Sequence, residues 1–223
     1  MIRPPSRPWR LLEAVLDVLY PPRCAACDGP RAAGEKPLCD PCAATLCRHE
    51  ASKLPGAESS PLAARHSAFL HGGAVAEVVA RFKYDGRVDL ARAVDWLLVH
   101  PPPQPDGPAP DAIVPVPLHR RRLRRRGFNQ ALPLARALSA VVGAPVKPGL
   151  LLRTRDTPPQ VGLTRDERRS NVRDAFEARS AVPPRVWIVD DVITTGATIE
   201  SCADALRDAG AIEVTAITLT IAT

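Results

Sequence analysis

The sequence predicts an α/β protein, a mainly parallel sheet flanked by helices, with a small cysteine module near its N-terminus. Three observations predict it. From residue 66 onward, short apolar and β-branched runs alternate with stretches of helical periodicity, the pattern of strand–helix–strand crossovers. One strand-like run ends in two aspartates and passes through a threonine-rich bend into a helix. Ahead of both stand two C-x2-C pairs, a metal-ligand spacing. The 223 residues suit one good-sized domain plus an appendage. Hydrophobic residues make up 45% and aromatics only 4%, so the core must be aliphatic. The net charge of +6 rests on arginine, which favours planar contacts to phosphate or carboxylate. Phosphorylated small molecules and nucleic acid both fit that charge.

In chain order, residues 9–19 (WRLLEAVLDVL) set Leu12, Val15, Leu16 and Leu19 at helical spacing. This amphipathic helix, residues 1–20, packs on its own protein or else meets a membrane surface or a partner. Residues 21–50 form the cysteine module, 51–65 a polar linker and 66–223 the larger domain. HSAFLHGG reads as a strand ending at Gly72–Gly73, and AVAEVVARFKYDGR and VDLARAVDWLLV as helices. HPPPQPDGPAP is a surface loop, since its prolines can supply neither helix nor ladder hydrogen bonds. DAIVPVPL is a short buried strand, and NQALPLARALSAVVG a helix with Asn129 as cap and Gly143 as stop. VWIVDD is a second buried strand, GATIESCADALRDAG a helix ending at Gly210, and EVTAITLTIA a final strand. No apolar run approaches the roughly 20 residues of a membrane-spanning helix. Glu13 and Asp17 interrupt any signal-peptide core, so the expected location is the cytoplasm.

The stretch WIVDDVITTGATI, residues 187–199, carries the chemistry. In open parallel sheets, ligands sit at the carboxyl ends of strands. The helix start near Gly196 offers unpaired N–H groups and the positive end of the dipole. Val192, Ile193, Thr194, Thr195, Gly196, Ala197 and Thr198 therefore make a candidate phosphate cradle, with the threonines adding hydroxyl donors. Asp190 and Asp191 would repel a phosphate and need a neutral hydroxyl-bearing or a cationic neighbour. A phosphorylated ribose satisfies both halves. The run contains neither the P-loop nor the dinucleotide glycine pattern.

Six of the seven residues from Arg120 to Arg126 are arginine, followed by Gly127. Some of these arginines must face solvent; contact with nucleic-acid phosphates is a second reading. Residues 153–176 are polar, carry Pro158–Pro159 and read as a mobile segment. Lys83, beside a glycine turn, is a phosphate candidate or a plain surface lysine. Cys24, Cys27, Cys39 and Cys42 have four-thiolate spacing, which closes the shell of a structural Zn2+ and leaves no open position for catalysis, an iron–sulfur cluster being the lesser rival. Cys202 reads as a packing residue.

These motifs also carry a resemblance. Residues 186–199 resemble the 5-phosphoribosyl-1-pyrophosphate (PRPP) motif of type I phosphoribosyltransferases. The ordered set LYPPRC, doubled C-x2-C, FKYDGR, VPVPLHRRRLRRRGFNQ, RDTPPQVGLTRDERRSNV and VDDVITTGAT resembles the ComF family. The resemblance implies a type I phosphoribosyltransferase fold with an N-terminal zinc ribbon. It also implies PRPP bound with Mg2+, with Asp190 and Asp191 on the ribose hydroxyls. It implies a pyrophosphate loop over Pro117–Asn129, including Arg125, Arg126, Gly127 and Asn129. A closing loop would carry Arg153, Arg155, Gln160, Arg169 and Asn171. It further implies a role in DNA uptake during natural transformation, with single-stranded DNA and a competence helicase at the inner face of the membrane. Turnover stays open: a glycosyltransferase acting on PRPP and a non-catalytic sensing or single-strand-binding module both fit. The acceptor and the oligomeric state are not legible.

Overall fold

The computed structural model describes residues 22–32, 34–49, 60–103, 105, 107–156 and 175–222. The expected helix at 9–19, most of the linker, and Gln160, Arg169 and Asn171 lie outside the described residues.

Four parallel strands form the main sheet: β1 (Ala64–Leu70), β2 (Ala112–Pro115), β5 (Arg185–Ile193) and β6 (Glu213–Ile221), in the order β1-β6-β5-β2. Side chains alternate between the two faces of a strand, and this alternation divides the core. On one face, Trp187, Val189, Ile217 and Leu219 pack against α2 (Gly73–Tyr84), α3 (Ala91–Val99) and α5 (Ala131–Val142). On the other, Val186, Ile188, Val214 and Ala216 pack against Ile199, Cys202, Ala203 and Leu206 of α6 (Ala197–Asp208). With both faces covered, β5 reads as a nearly continuous apolar run. The expected α/β architecture is therefore the observed one.

Three local expectations are corrected. First, β5 does not stop at its aspartates but pairs with β6 as far as Ile193. Second, the basic stretch expected as a loop is a helix, α4 (Arg120–Arg126). Arginine is a good helix former, and Arg124, Arg125 and Arg126 lie at the negative end of the helix dipole. His119 accepts from the Arg121 N–H at the start, and Gly127, at φ 85°, ends the helix with its N–H on the Leu123 carbonyl. Third, Arg153 is not on a mobile segment. It lies in β3 (Leu151–Arg153), which pairs antiparallel with β4 (Phe176–Ala178) in a separate two-stranded sheet.

The cysteine module is bound into the domain. Its short helix α1 (Asp40–Ala43) follows Cys39, and Cys24, Ala25, Ala26 and Leu38 share a core with α2 and α3. Thr45 Oγ1 accepts from the Ala74 N–H at 2.9 Å, capping α2. A side chain at Gly73 would meet that hydroxyl at 2.7 Å, so the close approach requires glycine. Arg81 of α2 donates to the Ala25 and Ala26 carbonyls at 3.0 Å each and ion-pairs with Asp28. Residues 47–49 then lie antiparallel along the outer edge of β1: Leu70 N–H donates to the Cys47 carbonyl and His49 N–H to the Ala68 carbonyl. Among the described residues, no helix is long and apolar enough to cross a membrane.

Candidate functional site

Asp190 and Asp191 are neighbours on β5, so their side chains leave opposite faces of the sheet. Asp190 faces α6 and is 9% exposed; Asp191 faces α2 and is 2% exposed. Lys83, in the last turn of α2, places Nζ 2.8 Å from Asp191 Oδ2. With its side chain 16% exposed, it is not a plain surface lysine. Burial works against its charge, but Asp191 and Asp190 outweigh that, and its pKa is raised. Among the described residues, Asp190 has no such cation at contact distance. Burial, then the Asp191 charge, push its carboxyl up to about 8, so it is largely protonated at neutral pH. Its Oδ1 accepts from the Asp191 N–H at 2.9 Å.

Beyond Ile193 the chain bends through Thr194, Thr195 and Gly196 into α6. Gly196 caps the helix at φ 83°, a left-handed conformation that favours glycine. Thr195 Oγ1 is buried without a hydrogen-bond partner. A buried hydroxyl left unsatisfied costs on the order of 1–3 kcal/mol. The sequence assigned the space over Gly196 to a ligand. The structure puts the guanidinium of Arg65 there, with Nη1 3.0 Å from where a Gly196 Cβ would stand. Arg65 also pairs with Glu200, in the first turn of α6. No sequence motif pointed to Arg65, because it reaches the loop from β1 across the sheet.

The residues expected to hold pyrophosphate have mixed surroundings. Asn129 is engaged structurally: Nδ2 donates to the Val116 carbonyl and Oδ1 accepts from the Ala131 N–H. Arg126 donates to Gln130 Oε1 at 2.6 Å and lies over the ring of Tyr84. Arg125 is exposed. Arg153 is 9% exposed and stands over the Phe176 ring; burial, and then the charge of Arg122, lower its pKa. Asp156 ion-pairs with Arg121 at 3.3 Å and lies 3.2 Å from His119, tying the start of the segment that bears Arg155 to the helix N-terminus.

In the cysteine module, the Sγ atoms of Cys24, Cys27, Cys39 and Cys42 all lie within 4.8 Å of one another. Cys27 and Cys39 Sγ are 3.8 Å apart, which matches the edge of about 3.8 Å of a tetrahedron with Zn–S bonds of about 2.3 Å. Burial raises the Cys24 pKa, but N–H groups of Cys27, Cys39 and Ala26 overcome it and bring it to about 6, favouring the thiolate a metal needs. The four cysteines form a zinc-binding site, and no other metal-ligating cluster occurs among the described residues.

A parallel sheet whose inner strand carries an acidic pair into a Thr-Thr-Gly bend ahead of a helix, with a four-cysteine ribbon docked on it, defines a phosphoribosyltransferase-fold protein. Residues 15–59 match the family described as "Double zinc ribbon domain", although the described part supplies one four-cysteine set. Over 109 residues the chain is 40% identical to "Competence protein F" of Haemophilus influenzae, covering 47% of this chain and 48% of that one. Over 142 residues it is 36% identical to "DNA utilization protein YhgH" of Escherichia coli K12, covering 61% and 63%. Over that share of its length the chain is similar to competence and DNA-utilization proteins. It spans about half to under two thirds of the length of those two relatives. Among solved structures, a glutamine PRPP amidotransferase of B. subtilis aligns with TM-score 0.36 at 23% identity, over 56% of this chain and 25% of that one. A purine phosphoribosyltransferase of Pyrococcus horikoshii aligns with TM-score 0.32, over 60% and 72%. Superpositions this loose add no weight to the fold, which rests on the sheet and the motif within it.

Proposed function

We propose that the protein binds Mg-PRPP at the carboxyl end of β5 and acts, through that ligand, in the uptake or use of DNA. The observation that carries this reading is the buried, partnerless Thr195 hydroxyl in a bend directly beyond the acidic pair. The bend and the start of α6 would take the 5′-phosphate. Asp190 and Asp191 would reach the ribose hydroxyls from the two sides of β5. Both are closed in by protein, so binding requires Lys83 to leave Asp191; the pyrophosphate is the anion that would draw it. Mg2+ arrives with the substrate and neutralises pyrophosphate charge. If transfer occurs, the aspartates favour positive charge on the ring, and the remaining catalysis is positioning. The DNA role comes from the names of the two relatives and from the exposed arginines of α4.

Calorimetry with Mg-PRPP tests the site. Wild type is expected to bind, and the Asp190→Asn/Asp191→Asn variant to lose at least tenfold in affinity; equal binding removes the assignment. A non-catalytic module is the second reading, favoured by the exposure of Arg120, Arg124 and Arg125 on α4. It gains if PRPP binds while no nitrogen acceptor releases pyrophosphate, and if single-stranded DNA binds with a steep salt dependence.

A further inference from the structure

We infer that Arg65 is a ligand of the 5′-phosphate, held in waiting by Glu200. The inference rests on the reading of the 190s bend as a phosphate site and extends it to a cation from a different strand. Arg65 pairs in register with Ala216, and Ala216 with Ile188, so its side chain leaves β1 on the face covered by α6. The guanidinium then lies over the N-cap of that helix. Cζ is 3.5 Å and Nη1 3.0 Å from the missing Cβ of Gly196, while Nη2 meets Glu200 and lies 3.3 Å from Ser60 Oγ. The Arg65 and Glu200 side chains are each only 16% exposed.

A cation beside a helix N-terminus is in the wrong place by itself, because both are positive. An anion must stand with them. Glu200 supplies one negative charge from the helix's own first turn. A phosphomonoester dianion would supply more, would fit the planar fork of Arg65 in pairs of hydrogen bonds, and would also satisfy Thr195 Oγ1. The two anions compete for one guanidinium, so phosphate binding is an exchange: Arg65 turns from Glu200 to the phosphate. The chemical class recognised is a sugar 5-phosphate.

Calorimetry on the full, zinc-loaded chain separates the possibilities, using ribose 5-phosphate, Mg-PRPP and Mg-pyrophosphate as ligands. Arg65→Ala should weaken ribose 5-phosphate and PRPP at least tenfold and leave pyrophosphate within twofold. Arg65→Lys should retain part of the affinity. Glu200→Gln should tighten both phosphorylated sugars several-fold. In Arg65→Ala/Glu200→Ala, affinity should stay low. Recovery to the wild-type value in that double variant would show that Arg65 merely shields Glu200, and would overturn the inference. So would an Arg65→Ala variant that binds all ligands as wild type does, or one that loses pyrophosphate in parallel. A wild-type chain that binds none of the three overturns the phosphate-site reading itself, a different result from a wild type that binds PRPP and a variant that does so equally well.

Discussion

Asp190 and Asp191 share a name and a motif but not an environment. Asp191 has Lys83 at 2.8 Å, whereas Asp190 is buried against α6 with its carboxyl raised to about 8 from 3.8. Between those two pH values the folded chain holds a proton on Asp190 that the unfolded chain has released. For this group, stability therefore falls as pH rises through that window and levels off above about 8. Asp190→Asn should flatten that slope and leave the melting temperature at pH 8 unchanged or higher, as thermal melts across pH will show. PRPP binding that requires the ionised form should release up to one proton near pH 7, read from calorimetry in buffers of different ionisation enthalpy. Lys83→Met leaves a buried carboxylate without its cation, at a cost of about 3–5 kcal/mol. Adding Asp191→Asn should return much of this in urea unfolding.

At the scale of elements, the strands and long helices were legible because both faces of the sheet are covered and each helix buries one stripe. The PRPP-like bend was legible because its residues are contiguous. The start of α4 was not: a run of like charges reads as a solvated loop, and only the His119 cap, the Gly127 stop and the dipole at its basic end make it a helix. The β3–β4 pair escaped notice because three-residue strands, separated by more than twenty residues of polar sequence, leave no period to read. FKYDGR marks Lys83, but neither its pairing with Asp191 nor the approach of Arg65 was legible, because contacts across a sheet leave no trace in local spacing. The cap on α2 belongs to this scale. Thr45→Ala frees the Ala74 N–H and should cost about 1 kcal/mol. Gly196→Ala forces both a left-handed backbone and a 3.0 Å contact with Arg65. It should weaken binding of the phosphorylated sugar more than it weakens pyrophosphate binding, as the same titrations will show.

For the whole molecule, the zinc ribbon is a structural part of the larger domain. Cys24, Ala25, Ala26 and Leu38 lie in the core that α2 and α3 share, and Arg81 ties the ribbon to the turn of α2 just ahead of Lys83. Stripping zinc with a chelator should lower a single cooperative melting transition and speed amide exchange along α2 as well as within the ribbon. A separate early transition with α2 unaffected would show an independent module. The segment at 47–49 has a further consequence. It occupies the outer margin of β1 with main-chain hydrogen bonds, and a bare strand margin is a template for a second chain. A version of the protein trimmed to start at residue 60 would uncover that margin, so it should self-associate at concentrations where the full chain does not, a difference that light scattering would register.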